Sequence, residues 1–287
     1  MKALLVLLFA AGCSFCNIDH DAGSAFMPEN DLWMEDTLEG EYDITPQDFE
    51  ERMDEARKIY EAVVKKHGGE LKIVGNWQSP TVNAYFSRSG DGKVWKVQMF
   101  GGLARRISSA DGFSGVVCHE VMHGLGGWPH YSRQAFQASV EGQSDYAATS
   151  SCLRKLWQDQ KEQNAEAAKG MPKFPKDRCD AVWKSKEDKH LCYRIALAGK
   201  SLADLLGELN GQKPAWESPQ LPPVRVTEEG HPGAQCRLNT YLAGALCGNN
   251  LVLDKIPQNE QESAVVSCLR SRQEFGARPE CWFKAKI

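Results

Sequence analysis

The chain has 287 residues, 42% of them hydrophobic and 25% charged, which suits a packed globular core and excludes a disordered or fibrous chain. With a net charge of −4 and Lys and Arg interleaved with Asp and Glu over residues 154–190, no nucleic-acid binding is expected. Ten Cys are too many for an ordinary cytosolic enzyme and point to an oxidising compartment.

Residues 1–13, MKALLVLLFAAGC, join one Lys, a short apolar run and small residues ahead of a Cys. The run is too short to span a bilayer, so it reads as an export signal and not as an anchor helix. Ala10-Ala11-Gly12-Cys13 also resembles a bacterial lipobox, with Ala10 where Leu is usual; a lipidated Cys13 would attach the mature chain to a membrane. The expected location is therefore the bacterial periplasm, the outer membrane as a lipoprotein, or the exterior. Residues 14–44 form an acidic lead-in without Lys or Arg, expected to be flexible or loosely wrapped and anchored by Phe26, Leu32, Trp33 and Met34. Nothing in the sequence supports an inhibitory role for it.

Residues 45–287 read as one domain with a helical C-terminal part. Thr45, Pro46 and Asp48 signal a helix start, and Phe49, Met53, Ala56, Tyr60 and Val63 form an apolar stripe that ends near Gly68-Gly69. Leu71–Trp77, Val82–Arg88 and Val94–Phe100 read as strands, the last two joined by a turn at Ser89-Gly90-Asp91-Gly92. Helices are expected over 110–125, 133–157, 188–209 and 234–247, with a polar segment near 158–186 that carries no readable chemistry. The Pro-rich run at 218–226 reads as an extended connection that delivers His231.

Within the helix expected over 110–125 lies His119-Glu120-Val121-Met122-His123. Two His four residues apart project from one helix face and can bind one metal ion, with the Glu between them beside it. A catalytic zinc needs a third protein ligand. In the metzincin pattern that position is held by Pro129, and His130 comes one residue late. Glu141, eighteen residues after His123, is the other candidate, on a second helical stretch beyond the Gly-Gly-Trp-Pro break. Asp145, one turn further, shares its face and would accept the second ring N–H of a ligand His.

HExxH at 119–123, EGQSD at 141–145 and HPGAQCR at 231–237 together resemble the three signatures of the HtpX and CAAX-prenyl-endopeptidase group of gluzincin peptidases. VNAYF at 82–86 and MFGGLAR at 99–105 are similar to segments that precede that group's active-site helix; the resemblance spans roughly residues 45–250. It implies an α+β, zincin-like (gluzincin) fold, one Zn2+ per chain and a protein or peptide substrate. It also implies an oxyanion donor in His231, a bracing role for Arg237, and a substrate-pairing strand at Trp95–Gly101.

The resulting expectation is a zinc peptidase in which His119, His123 and Glu141 hold the metal and Glu120 is the general base. The alternative is a zinc-stabilised envelope protein that binds or escorts partners and has little peptidase activity. Oligomeric state is left open. Setting aside Cys13 and Cys16 leaves eight Cys, enough for four disulfides among 105 pairings. If the two ligand helices pack antiparallel, Cys118 and Cys152 become neighbours and would clamp the site; Cys179 and Cys192 form the next local pair.

Overall fold

A computed structural model describes residues 24–37, 42–133, 137–218, 220–249 and 255–285. The expected export signal and Cys13 lie outside the described residues. Among the described residues no helix is long and apolar enough to cross a membrane. The architecture is α+β, a small mixed sheet followed by a predominantly helical remainder.

Strand β1 is short, Ser24–Ala25. Helix α1, Pro46–Lys66, starts at a capping box between Thr45 and Asp48 and buries Phe49, Met53, Ala56, Tyr60 and Val64, the expected stripe with Val64 in place of Val63. Strands β2 (Glu70–Asn76), β3 (Ala84–Arg88) and β4 (Val94–Phe100) follow. Gly92 takes a positive φ of 73° in the β3–β4 turn, which favours a residue without Cβ. The strand order is β1-β3-β4-β2, with β2 parallel to β4 and the other two pairings antiparallel.

Helix α2, Gly101–Arg106, leads into α3, Ala110–Leu125, whose N-cap Ser109 accepts a hydrogen bond from Gly112 N at 3.0 Å. Every residue of α3 from Gly112 to Leu125 is buried. Its near-continuous apolar surface, VVCHEVMHGL, is that of a helix enclosed on all sides, here between the sheet, α1 and α8 (Lys186–Glu208). Gly124 lets the sheet come close: a Cβ there would stand 2.7 Å from the Trp95 ring and 3.0 Å from Phe86. At the other end, Arg194 of α8 binds Asp111 through two hydrogen bonds of 2.8 and 2.7 Å.

The second long helical stretch begins later than its periodicity suggests. Residues 137–140 are extended, and α4 runs over Glu141–Ala147, continuing through a π turn at Ala148–Cys152 into α5, Leu153–Trp157. The reason is local pairing: Ser139 N donates to His123 O, and Ser139 O receives the His123 ring, both at 2.8 Å, so this segment is bound to α3 as a strand-like clasp. The polar segment near 158–186 holds two short helices, α6 (Lys161–Ala167) and α7 (Lys173–Val182). Helix α9, Ala234–Leu246, packs across α4 and the π turn, and α10 (Glu260–Val266) follows.

Among the described residues four disulfides close the structure: Cys118–Cys152, Cys179–Cys192, Cys236–Cys281 and Cys247–Cys268. The first two are the pairs expected from helix packing and proximity. The third ties the C-terminal segment, with its buried Trp282, to α9. The Pro-rich connection is likewise held by this segment, through Val224 N to Glu280 O and Glu228 N to Trp282 O, each 2.8 Å.

Two features of the sheet differ from expectation. The strand assigned to substrate pairing, Trp95–Gly101, is flanked by β3 on one side and β2 on the other through its β4 residues, so its backbone is already paired and no further chain can add to it. The lead-in, expected to be flexible or loosely wrapped, contributes β1 to the sheet, a strand the sequence did not signal. Phe26 and Met27 are fully buried, and Met34 O receives Arg105 Nε and Nη2 at 3.1 and 2.8 Å. Of its expected anchors, Trp33 is exposed.

Candidate metal centre

Helix α3 carries His119 and His123 one turn apart, with their Nε2 atoms 3.0 Å from each other. Beyond Leu125 the chain reverses at Gly126-Gly127, returns through the Ser139 clasp, and enters α4 with Glu141 as its first residue. Glu141 Oε2 then lies 3.2 Å from His119 Nε2, and Oε1 lies 3.5 Å from His123 Nε2. Gln143 Nε2 donates to Gly126 O at 2.8 Å, Ser144 Oγ donates to His119 O, and the Cys118–Cys152 bridge fastens the opposite ends. Thus two helices that share no hydrogen-bond ladder are fixed at both ends of the site.

A surrounding set of groups orients these three side chains. His119 Nδ1 meets Asp145 Oδ1, and His123 Nδ1 donates to Ser139 O, both at 2.8 Å. Arg237, from α9, grips Asp145 with a fork of two 2.7 Å bonds, Nε to Oδ2 and Nη2 to Oδ1. Its third nitrogen, Nη1, donates to Phe26 O at 2.7 Å. Tyr131 donates its phenol to Glu141 Oε1 at 2.7 Å, while His231 Nε2 lies 3.7 Å from Glu141 Oε2 and 2.8 Å from Ala25 O. The π turn just after Asp145 is where α9 approaches most closely: a Cβ on Gly244 would overlap Thr149 Oγ1 at 2.0 Å.

Burial dominates the electrostatics. Glu120 is fully enclosed and both its carboxylate oxygens lack a hydrogen-bond partner; desolvation pushes its pKa up to about 8 against the attraction of His119. Burial also acts on His119, but Asp145 and Glu141 override it and lift the pKa to about 9. His123 goes the other way, to about 4, through burial and with repulsion from His119 added to it. For Glu141 and Asp145 desolvation is outweighed by attraction to neighbouring groups, His123 and His119 for the first and chiefly Arg237 for the second, and both carboxyls fall below the usual range. Tyr131 is raised by burial and by Glu141, so its phenol stays a donor.

This geometry has a direct chemical meaning. Ser139 O can only accept, so His123 Nδ1 carries the proton and its Nε2 presents a lone pair. With His119 Nδ1 likewise donating to Asp145, both Nε2 atoms and a carboxylate face one another at 3.0–3.5 Å in a buried space, and the raised pKa of His119 places a proton on its Nε2. Such an arrangement is repulsive without a positive charge among the three atoms. The spacing is close to the ~3.3 Å between neighbouring ligand atoms of a tetrahedral ion with bonds of about 2.0–2.1 Å. His119, Glu120 and His123 form a buried group whose ligand atoms lie within 4.8 Å of one another and which could hold a metal.

All seven residues singled out in the sequence, His119, Glu120, His123, Glu141, Asp145, His231 and Arg237, gather here. His130 does not: its backbone bridges Ser139, and its Nε2 is buried without a hydrogen-bond partner. Sequence reasoning left Tyr131 without a role and missed Ser139 and Phe26. Tyr131 and Ser139 carry no periodic signal, whereas Phe26 stood out only as an apolar residue in an acidic stretch. Comparisons with protein-family models, with curated proteins and with solved structures gave no match to this chain.

Proposed function

We propose that the protein is a zinc-dependent peptidase with a zincin-like fold of the gluzincin type, exported to an oxidising compartment. The observation that carries this reading is the convergence of His119 Nε2, His123 Nε2 and a Glu141 carboxylate on one buried point, with both Nδ1 atoms already committed elsewhere. Two imidazoles and one carboxylate are a donor set that suits zinc. Four disulfides support the compartment.

His119, His123 and Glu141 would hold the ion, which when bound supplies a positive charge that polarises a carbonyl and acidifies water. Glu120, uncommitted to any hydrogen bond, would take the proton of the attacking water and return it to the leaving amine. His231 Nε2 is a donor to peptide carbonyl oxygen, the role it already performs at Ala25 O, and it stabilises charge that develops on that oxygen. Asp145 fixes the tautomer of His119, and Arg237 holds Asp145 in register. Protein or peptide chains are the substrate class.

The test is Glu120→Gln, assayed on a peptide library beside wild type. Loss of about a hundredfold or more in initial rate, with zinc content and fold retained, is expected for deleting the general base. Undiminished cleavage by Glu120→Gln would remove the hydrolytic role, and binding of partners without cleavage in either protein would favour an escort function.

A further inference from the structure

We infer that the edge of β3 is a groove for an extended peptide with an apolar or aromatic side chain, and that the chain's own Ser24–Met27 fills it and keeps the site latent. His119, Glu120, His123 and Glu141 are all 0% exposed, yet a hydrolytic site needs an open position for its substrate. Something covers it, and the segment against it is the lead-in.

Residues Ser24–Met27 lie on β3 as a bound peptide would. Ser24 pairs with Phe86 and Ala25 with Tyr85, antiparallel; Phe26 N continues the ladder to Ala84 O at 3.0 Å. Asn83 then clasps Met27 on both backbone groups, Oδ1 to N at 3.0 Å and Nδ2 to O at 3.1 Å. No hairpin connects this strand to β3; almost sixty residues intervene, so the pairing resembles strand addition by a tethered ligand. Its opposite side is read by the site itself. Ala25 O receives His231 and Phe26 O receives Arg237, contacts to main-chain atoms that any peptide could make.

The side chain between those two carbonyls defines the preference. Phe26 is fully buried, its ring edge-on to His119 with centroids 5.2 Å apart, and the Arg237 guanidinium sits 4.8 Å from the ring centre. Alongside is a cavity of about 380 Å³ whose walls include Pro28 and Asn30 on one side and His231 and Arg237 on the other. Departure of the segment therefore opens the donors of the site to that space. The segment is an occupant in cis at an effective concentration on the order of millimolar, so free peptide at micromolar concentration leaves it in place.

Occupancy of the groove stands on this geometry alone, whereas latency rests on the hydrolytic reading. The test uses the full chain and a fluorescein-labelled synthetic peptide of residues 24–33, SAFMPENDLW, followed by anisotropy and by mass spectrometry for cleavage. Phe26→Gly removes the buried ring that anchors the segment against His119 and Arg237 and should release it. It should bind the peptide at least tenfold more tightly than wild type, and a peptide with Gly in place of Phe should bind neither. Phe26→Ala, which weakens the tethered segment but leaves every groove residue intact, serves if Phe26→Gly does not fold; a several-fold gain is expected. Peptide binding with cleavage supports both readings, and binding without cleavage supports the groove while counting against hydrolysis. If a folded variant binds no better than wild type, β1 is a permanent strand and the inference is overturned.

Discussion

Arg237→Met tests whether the Arg237–Asp145 pair supports the site. Both side chains are at most 1% exposed, and Arg237 supplies two of the hydrogen bonds to Asp145 and one to Phe26 O. Methionine keeps much of the volume but leaves the Asp145 carboxylate in the core with His119 as its remaining cationic neighbour. Breaking a buried pair from one side costs about 3–5 kcal/mol. The carbonyl of Phe26 left without its donor adds about 1 kcal/mol or more. At about 2–4 °C per kcal/mol, Tm should fall by on the order of 10 °C, measured with excess chelator so that metal linkage does not contribute. The double variant Arg237→Met/Asp145→Asn removes the stranded charge while keeping an acceptor for His119, and should be more stable than Arg237→Met by about 2 kcal/mol. A single variant within about 1 kcal/mol of wild type, or a double variant less stable than the single, would refute the argument.

The two local disulfides should rank by loop length. Cys118–Cys152 closes a separation of 34 residues and Cys179–Cys192 one of 13. Chain entropy gives about 4 and about 3 kcal/mol respectively, so Cys118→Ala/Cys152→Ala should lower the denaturation midpoint more; the reverse order would contradict this. His130 should shape acid stability. Burial, with Arg88 second, lowers its pKa from 6.5 to about 4, so the unfolded chain binds a proton that the folded chain refuses. Its contribution is complete above pH 6.5 and is lost as pH falls towards 4; His130→Gln should flatten the stability profile in that window, and an unchanged slope would exclude the effect.

Much of this structure was legible where a long element repeats a signal. The stripe of α1, the hairpin turn at Ser89–Gly92 and the uniform apolarity of α3 each reflect burial that the chain must satisfy wherever it folds. Cys118 and Cys152 were readable because three ligands can meet only if their helices pack antiparallel. The rest depended on contacts between distant segments. A two-residue strand at Ser24–Ala25 has no period to detect, and its partner is Phe86. Helices α6 and α7 bury only Asn164, Pro175 and Cys179, too few apolar positions to rise above a polar background. At Ala138–Val140 helical periodicity gave way to tertiary demand, because a helix there would withdraw the Ser139 carbonyl from His123. The resemblance to gluzincins assigned the pairing strand to β4, and its internal place in the sheet could be seen only once both neighbours were known.

The central claim, that His119, His123 and Glu141 form one zinc site, is tested most directly by metal content of the refolded mature chain, measured by elemental mass spectrometry with calorimetric titration. Wild type and His130→Ala should each bind about one zinc per chain, and Glu141→Ala should lose most of it. Equal zinc in wild type and Glu141→Ala, or no zinc in wild type with all four disulfides formed, would contradict the account.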